Sequence, residues 1–123
     1  MRGRAGGRLV SERRYAFASL PLGEQVEEAK RLLAEHLSRF RSATASVVPG
    51  KLLRKHAEER GLPLPAPFDT YRFSVLVARA RELEEVVDER GKRWRRLAVE
   101  EKNRRYHYAR RVFYAVEEGG FTE

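Results

Sequence analysis

The most regular apolar pattern in the chain runs from Asp69 to Glu89. Apolar residues recur there at the three- and four-residue spacing that places side chains on one face of a helix. They are Phe73, Leu76, Val77, Ala80, Leu83, Val86 and Val87. Asp69 precedes this stripe and is a residue type that caps helix amino termini. We therefore predict a helix from Asp69 to about Glu89 that buries this stripe.

Two further helices are predicted before it. Residues 24–41 carry a helical apolar stripe, and LLRKHAEER forms a second helix that starts after Pro49 and Gly50 and stops at Gly61. The intervening SATASVV is rich in small and β-branched residues, which favours a short strand. LPLPAPF, Leu62–Phe68, connects the second helix to the third, because its prolines cannot donate helix bonds. The helices are expected to share a core of Leu32, Leu33, Leu37, Leu52, Leu53, Leu76, Val77, Ala80 and Leu83.

The carboxyl-terminal third alternates side chains between two faces, as a strand does. Lys92 to Glu100 and Arg104 to Val116 are predicted to pair antiparallel, with EEKN at the tip of the hairpin. Helical spacing also fits part of the second segment, but its β-branched and aromatic residues favour a strand. Trp94 is expected to be buried against the third helix. One face of the hairpin is expected to pack against the helices through Val112, Phe113 or Tyr114.

The predicted order is helix, strand, helix, helix, strand, strand, which is an α+β arrangement. Within it, SVVPGKLLRKHAEERG followed by DTYRFSVLVARARELEEVVDERGKRW resembles a winged helix-turn-helix domain, over about Gln25 to Val116. The resemblance implies that the third helix enters the major groove of DNA and that the hairpin contacts the neighbouring backbone or minor groove. The connection between the second and third helices is longer and richer in proline than the turn typical of that family. We assign residues 23–117 to a winged-helix domain, residues 1–22 to a flexible basic arm and residues 118–123 to a disordered tail.

The charge of the chain favours a polyanionic partner. Lys and Arg number 26 against 18 Asp and Glu, which gives a formal net charge of +8, and such a domain is attracted to phosphates of any sequence. Four residues of the third helix are predicted to meet phosphates or base edges: Thr70, Tyr71, Arg72 and Ser74. Six residues of the hairpin are predicted to bind backbone phosphates: Lys92, Arg93, Arg95, Lys102, Arg104 and Arg105.

Other roles compete for several of these residues. The alternative for Arg72 is an ion pair with Asp69 or a nearby glutamate. Asp88 is interpreted as part of an acidic, solvated face. Aromatic residues among the hairpin cations are also suited to stacking on unpaired bases, which is how strand surfaces bind single strands: Trp94, Tyr106 and Tyr108.

Catalytic and metal sites are not expected. The chain has no Cys, and His36, His56 and His107 lack the spacing of a metal-binding helix. Neither a cofactor nor a membrane partner is predicted, because no ligand cluster and no long apolar stretch is present.

The sequence therefore predicts a non-enzymatic, cytoplasmic nucleic-acid-binding protein that favours duplex DNA, as a transcription regulator or a chromatin-associated factor. The alternative is a small basic RNA-binding or protein-binding subunit of a ribonucleoprotein or another assembly. A homodimer is left open, because such domains often read symmetric sites in pairs.

Overall fold

The structure, a computed structural model, describes residues 16–104 and 107–117, without the side chains of residues 103, 104 and 107–109. The chain folds as an α+β unit. Its helices are α1 (Leu22–Leu37), α2 (Pro49–Glu59) and α3 (Pro67–Arg79). Its strands are β1 (Thr44–Val47), β2 (Glu85–Val87), β3 (Arg93–Arg104) and β4 (His107–Val116). Short 3-10 helices occupy Phe17–Ser19 and Arg81–Leu83.

Local sequence explains where α2 begins and where it ends. Pro49 stands at the first helical position, where a missing N–H costs nothing. Gly61 follows the helix with φ of +67°, a backbone conformation that glycine adopts without strain. The Leu62 N–H then donates to the Ala57 carbonyl at 2.8 Å, which closes the end of the helix. The predicted stop of the second helix at Gly61 is thus confirmed.

The third helix differs from the prediction at both ends. It begins at Pro67, so Pro67 and Phe68 belong to the helix and not to the connection. Asp69 accepts the Ala66 N–H at 3.1 Å from within the first turn. The helix stops at Arg79, ten residues short of the predicted end at Glu89, because the chain turns to pair β2 with β3.

The apolar stripe after Arg79 is therefore divided between two other elements. Leu83 is buried from a 3-10 helix and Val86 from strand β2, whereas Val87 is 55% exposed. A short apolar run fits helical and extended spacing equally well. Periodicity alone therefore could not distinguish a longer α3 from a 3-10 helix followed by a strand.

Within residues 16–104 and 107–117, the sheet has four antiparallel strands in the order β1-β4-β3-β2. The β3–β4 hairpin is longer than predicted, because Glu100 to Asn103 pair within the ladder and do not form its tip. The last paired residues are Arg104 and His107. A register shift between Arg96 and Ala98 inserts Leu97 as a bulge in β3. The helical alternative for Arg104 to Val116 is excluded from His107 onwards, because His107–Val116 forms a strand.

One face of the sheet packs against the helices to form the core. Trp94, Val112 and Tyr114 are fully buried there, as predicted for Trp94, while Phe113 is only half-buried on the other face. The predicted helical core is confirmed, with Ala80 at its margin. Phe17 also belongs to the core: its ring meets that of Phe73 edge-on with centroids 5.3 Å apart, although it lies in the segment assigned to the arm.

Residues 1–15 and 118–123, which include most of the predicted arm and all of the predicted tail, lie outside the described residues. Within the described part of the chain, no helix combines the length and the apolar character needed to cross a bilayer.

Candidate nucleic-acid interface

Ser74 was expected on the exposed face of α3, and this expectation is wrong. The residue is buried, and its Oγ accepts a hydrogen bond of 2.6 Å from Nη1 of Arg110 in β4. Arg110 is itself buried and also donates from Nε to Glu101 at 3.1 Å. These contacts join α3 to the hairpin, so Ser74 has a structural role and no access to DNA.

Arg72 is held by α1. Its Nε donates to Oε1 of Gln25 at 3.1 Å, and this bond takes the place of the alternative ion pair with Asp69 or a nearby glutamate. Gln25 is buried and is fixed in turn by its own bond of 2.8 Å to the Leu20 carbonyl. Asp69 instead accepts the Ala18 N–H at 2.8 Å. Arg72 is therefore half-buried and restrained, which leaves little of it for reading base edges.

The remaining predicted residues of α3 offer few polar groups. Thr70 is half-buried, and its hydroxyl donates to the Pro67 carbonyl within the helix at 2.8 Å. Tyr71 is 55% exposed and Phe68 is 68% exposed. The outer surface at the start of α3 is thus aromatic rather than hydrogen-bonding.

The base of the hairpin is partly neutralised. Arg95 pairs with Glu117 at 3.1 Å and with Glu85 at 2.8 Å, and the Glu117 and Glu85 carboxylates raise the pKa of Arg95. Arg95, which was predicted to bind a backbone phosphate, is thus already paired with two carboxylates. Arg93 is exposed, and Lys92 is half-buried in the turn before β3.

That turn is built around Asp88, which does not belong to a solvated acidic face. Its side chain is buried and accepts the Arg90 N–H at 2.8 Å, the Lys92 N–H at 3.0 Å and the Trp94 Nε1–H at 2.9 Å. Burial opposes ionisation, but these bonds and the Arg90 guanidinium outweigh it and lower the pKa of Asp88 to about 2. Gly91 completes the turn with φ of +90°.

Basic side chains meet at a small cleft between the start of α2 and the β3–β4 hairpin. The cleft, about 60 Å³ in volume, is lined by Val48, Glu100, Lys102, Arg110 and Arg111. Lys102 and Arg111 are exposed, and Arg111 donates to the Ser46 hydroxyl at 2.9 Å. Lys102 is thus exposed, as predicted, but it pairs with Ala109 within the ladder and does not lie at the tip of the hairpin. The side chains of Arg104 and Arg105 lie outside the description.

Three more cations lie on the first two turns of α2, directly after Val48. Lys51, Arg54 and Lys55 are exposed, and within the described residues none of them forms an ion pair. A Cβ placed on Gly50 would be 3.9 Å from Nη1 of Arg54, so this guanidinium lies over the helix amino terminus. Aligned peptide dipoles add positive partial charge there.

These three residues were not among those predicted from the sequence, although helical spacing places them away from the buried Leu52 and Leu53.

The other end of α2 is neutralised. Arg60 pairs with Glu35 at 3.4 Å, and Arg39 pairs with Glu35 at 3.5 Å and with Glu59 at 3.7 Å. The positive charge of this region therefore concentrates at the start of α2. We call Lys51, Arg54, Lys55, Lys102 and Arg111 the basic surface.

The described residues contain no group of three or more acidic or histidine side chains placed to hold a metal ion. Comparison with protein-family models, curated proteins and solved structures finds no match for this chain.

Proposed function

We propose that the chain is a non-enzymatic nucleic-acid-binding protein that prefers duplex DNA and contacts its phosphates through the basic surface. The observation that carries this proposal is a cleft between the hairpin and Val48, the residue before α2, with exposed cations on both the hairpin and α2. These cations form no ion pair among the described residues, although Glu100 also lines the cleft. Cations of this kind bind phosphates because binding releases condensed counterions.

The arrangement of elements supports a winged-helix domain. Helices α2 and α3 are followed by the β3–β4 hairpin, and β1 joins the sheet beside β4. Strand β2 is an addition to the predicted order, since it inserts a fourth strand between α3 and the hairpin. In this proposal the hairpin is the wing, and it shares its phosphate contacts with the start of α2.

Base reading by α3 has a small part in the proposal. Ser74 is buried, Arg72 is bonded to Gln25, and the Thr70 hydroxyl is used within the helix. Phosphate contacts position a protein on DNA but carry no sequence information. We therefore favour a chromatin-associated factor with weak sequence preference over a sequence-specific regulator.

A salt titration of affinity tests the proposal. Fluorescence anisotropy with duplex DNA should give a log–log slope of about −4 to −5 if the five cations each neutralise one phosphate. Lys51→Ala combined with Arg54→Ala should weaken binding equally on unrelated duplexes and reduce that slope by about 2. The matched control is Arg39→Ala with Arg60→Ala, which removes the same charge from ion-paired positions.

Equal effects of the two double variants would contradict the assignment of the basic surface, because they would mean that only net charge matters. Arg104→Ala with Arg105→Ala tests the sequence-based expectation that the tip of the hairpin contacts phosphate, and it too should flatten the slope. Single-stranded DNA and hairpin RNA are run in parallel. Tighter binding to either of them than to duplex DNA would favour the RNA-binding subunit over the DNA-binding factor.

A second candidate, a protein-binding subunit of an assembly, is favoured by one observation. Four large apolar side chains around the α2–α3 connection and the start of α3 are exposed by 39 to 68%: Leu62, Leu64, Phe68 and Tyr71. Exposed apolar clusters of this kind are typical of protein-binding surfaces. Absence of salt-dependent binding to any nucleic acid would make this the leading candidate.

A further inference from the structure

A groove of about 690 Å³ runs between α1 and strand β2. Its apolar lining includes Leu20, Val86 and Val87, and carboxylates line it from both elements, with Glu24 and Glu27 on α1 and Glu85 on β2. None of the residues of the basic surface lines this groove. It is therefore a separate feature that nucleic-acid binding does not explain.

Among the described residues, strand β2 is the last strand of the sheet, and its outer edge faces no other strand. The Arg96 N–H donates to the Glu84 carbonyl and the Asp88 N–H donates to the Lys92 carbonyl, both at 2.8 Å. Hydrogen-bonded pairs alternate in an antiparallel ladder, so the N–H and C=O groups of Glu85 and Val87 point to the outer edge. In the described part of the chain, no turn, loop or cap bond uses these groups.

The charge of the groove is opposite to that of the chain. Of the described residues, four glutamates and two cations line it, because Glu28, Lys30 and Arg31 join the carboxylates named above. Glu28 pairs with Arg31, whereas Glu24 and Glu27 form no ion pair within the described residues. The groove thus carries acidic charge in a protein whose formal net charge is +8.

We propose that this groove binds an extended, basic segment of a partner protein by strand addition to β2. Free backbone groups on an edge strand supply main-chain hydrogen bonds to an added strand, and side-chain pockets supply selectivity. The apolar side chains of the segment contact the exposed Val87 on one face of the sheet. Its cations lie on the opposite face, the face of Val86, and pair there with Glu24 and Glu27 of α1. A second copy of this chain is a poorer occupant through β2 itself, because two acidic grooves would repel one another.

The test uses the full chain labelled with ¹⁵N and a capped seven-residue peptide that alternates Arg and Val. Addition of the peptide should shift the amide signals of Glu85, Val86 and Val87 and those of the first turns of α1. Glu24→Gln with Glu27→Gln should weaken the peptide about fivefold, as expected for two exposed ion pairs. The same peptide with alternate amides N-methylated should bind at least tenfold more weakly, since it loses ladder bonds.

Four results would overturn the proposal. Equal affinity of the N-methylated peptide would exclude strand addition. Equal affinity of a peptide with Glu in place of Arg would exclude charge complementarity. Simultaneous shifts of residues 1–15 and of the groove would mean that the peptide displaces the chain's own basic amino-terminal segment. Dissociation of a dimer on peptide addition would identify a second copy as the occupant.

The Glu24→Gln, Glu27→Gln variant should bind duplex DNA no more weakly than the wild type, which separates this test from that of the proposed function.

Discussion

The indole Nε1 of Trp94 donates a hydrogen bond of 2.9 Å to Oδ2 of Asp88, and both side chains are buried. Trp94 lies near the start of β3 and packs in the core. Asp88 accepts the hydrogen bonds that hold the turn between β2 and β3. Arg90 extends this link by donating to Asp88 at 2.9 Å and to the Leu37 carbonyl of α1 at 3.4 Å. One carboxylate therefore connects the turn, the sheet and the end of the first helix.

Asp88→Asn should lower the free energy of unfolding by about 2–3 kcal/mol, because the amide cannot accept all the bonds that the carboxylate accepts. Urea denaturation measures the effect. Glu89→Gln is the matched control, since Glu89 is exposed in the same turn and should change stability by less than about 0.5 kcal/mol. Equal stability of Asp88→Asn and the wild type would show that the hydrogen-bond network around Asp88 is unimportant.

Acid should destabilise the wild type more than Asp88→Asn. The pKa of Asp88 is about 2 in the folded chain against an ordinary 3.8. The unfolded chain therefore binds the proton first, and the stabilisation present above pH 3.8 is lost as pH falls towards 2. Denaturation at a series of acidic pH values should show a loss of about 2 kcal/mol in the wild type that the variant lacks.

A second pH dependence is expected near neutrality from His36 and His56. Burial, followed by the positive charge of Arg39, lowers the pKa of His36, and burial followed by Arg60 lowers that of His56. The unfolded chain binds protons at the ordinary value of 6.5, before the folded chain does, so the free energy of unfolding should decrease as pH falls through 6.5.

Thermal denaturation between about pH 7.5 and pH 5.5 measures this second dependence. His36→Gln with His56→Gln should flatten the profile, and a profile of unchanged slope would contradict the assignment.

Arg72→Ala should affect stability and not DNA preference. Loss of its bond to Gln25 should cost about 1–2 kcal/mol, whereas its relative affinity for different duplexes should equal that of the wild type. Tyr71→Ala, one position away and exposed, serves as the comparison for stability. A loss of preference for one duplex in Arg72→Ala would restore the base-reading role that the sequence first predicted.

Leu53→Ala should cost 2–5 kcal/mol, because Leu53 is fully buried in the core. Leu97→Ala changes the same side chain at the β3 bulge, where Leu97 is 61% exposed, and should cost less than about 1 kcal/mol. Urea denaturation of both variants measures the difference. A small loss in Leu53→Ala would mean that α2 does not pack as described.

Local patterns predicted much of the fold because each depends on neighbours in sequence. The stripe of α1, the stop at Gly61 and the burial of Trp94 follow from periodicity, backbone freedom and side-chain size. The end of α3 could not be predicted from local spacing, because Val86 pairs with Trp94 as part of strand β2. The candidate site was predicted in part, with Lys102 on the exposed hairpin and Lys51, Arg54 and Lys55 missed.

By itself, the sequence determined the α+β class, the three helical stripes and the excess of positive charge, all of which are properties of composition and short-range spacing. Only the tertiary structure decided which cations are bonded to other parts of the chain. Arg72 is bonded to a residue 47 positions away and Arg110 to one 36 positions away. A charged side chain takes a structural role when folding brings it such a partner. Partners so far apart in sequence cannot be predicted from the spacing of residues within one helix or strand.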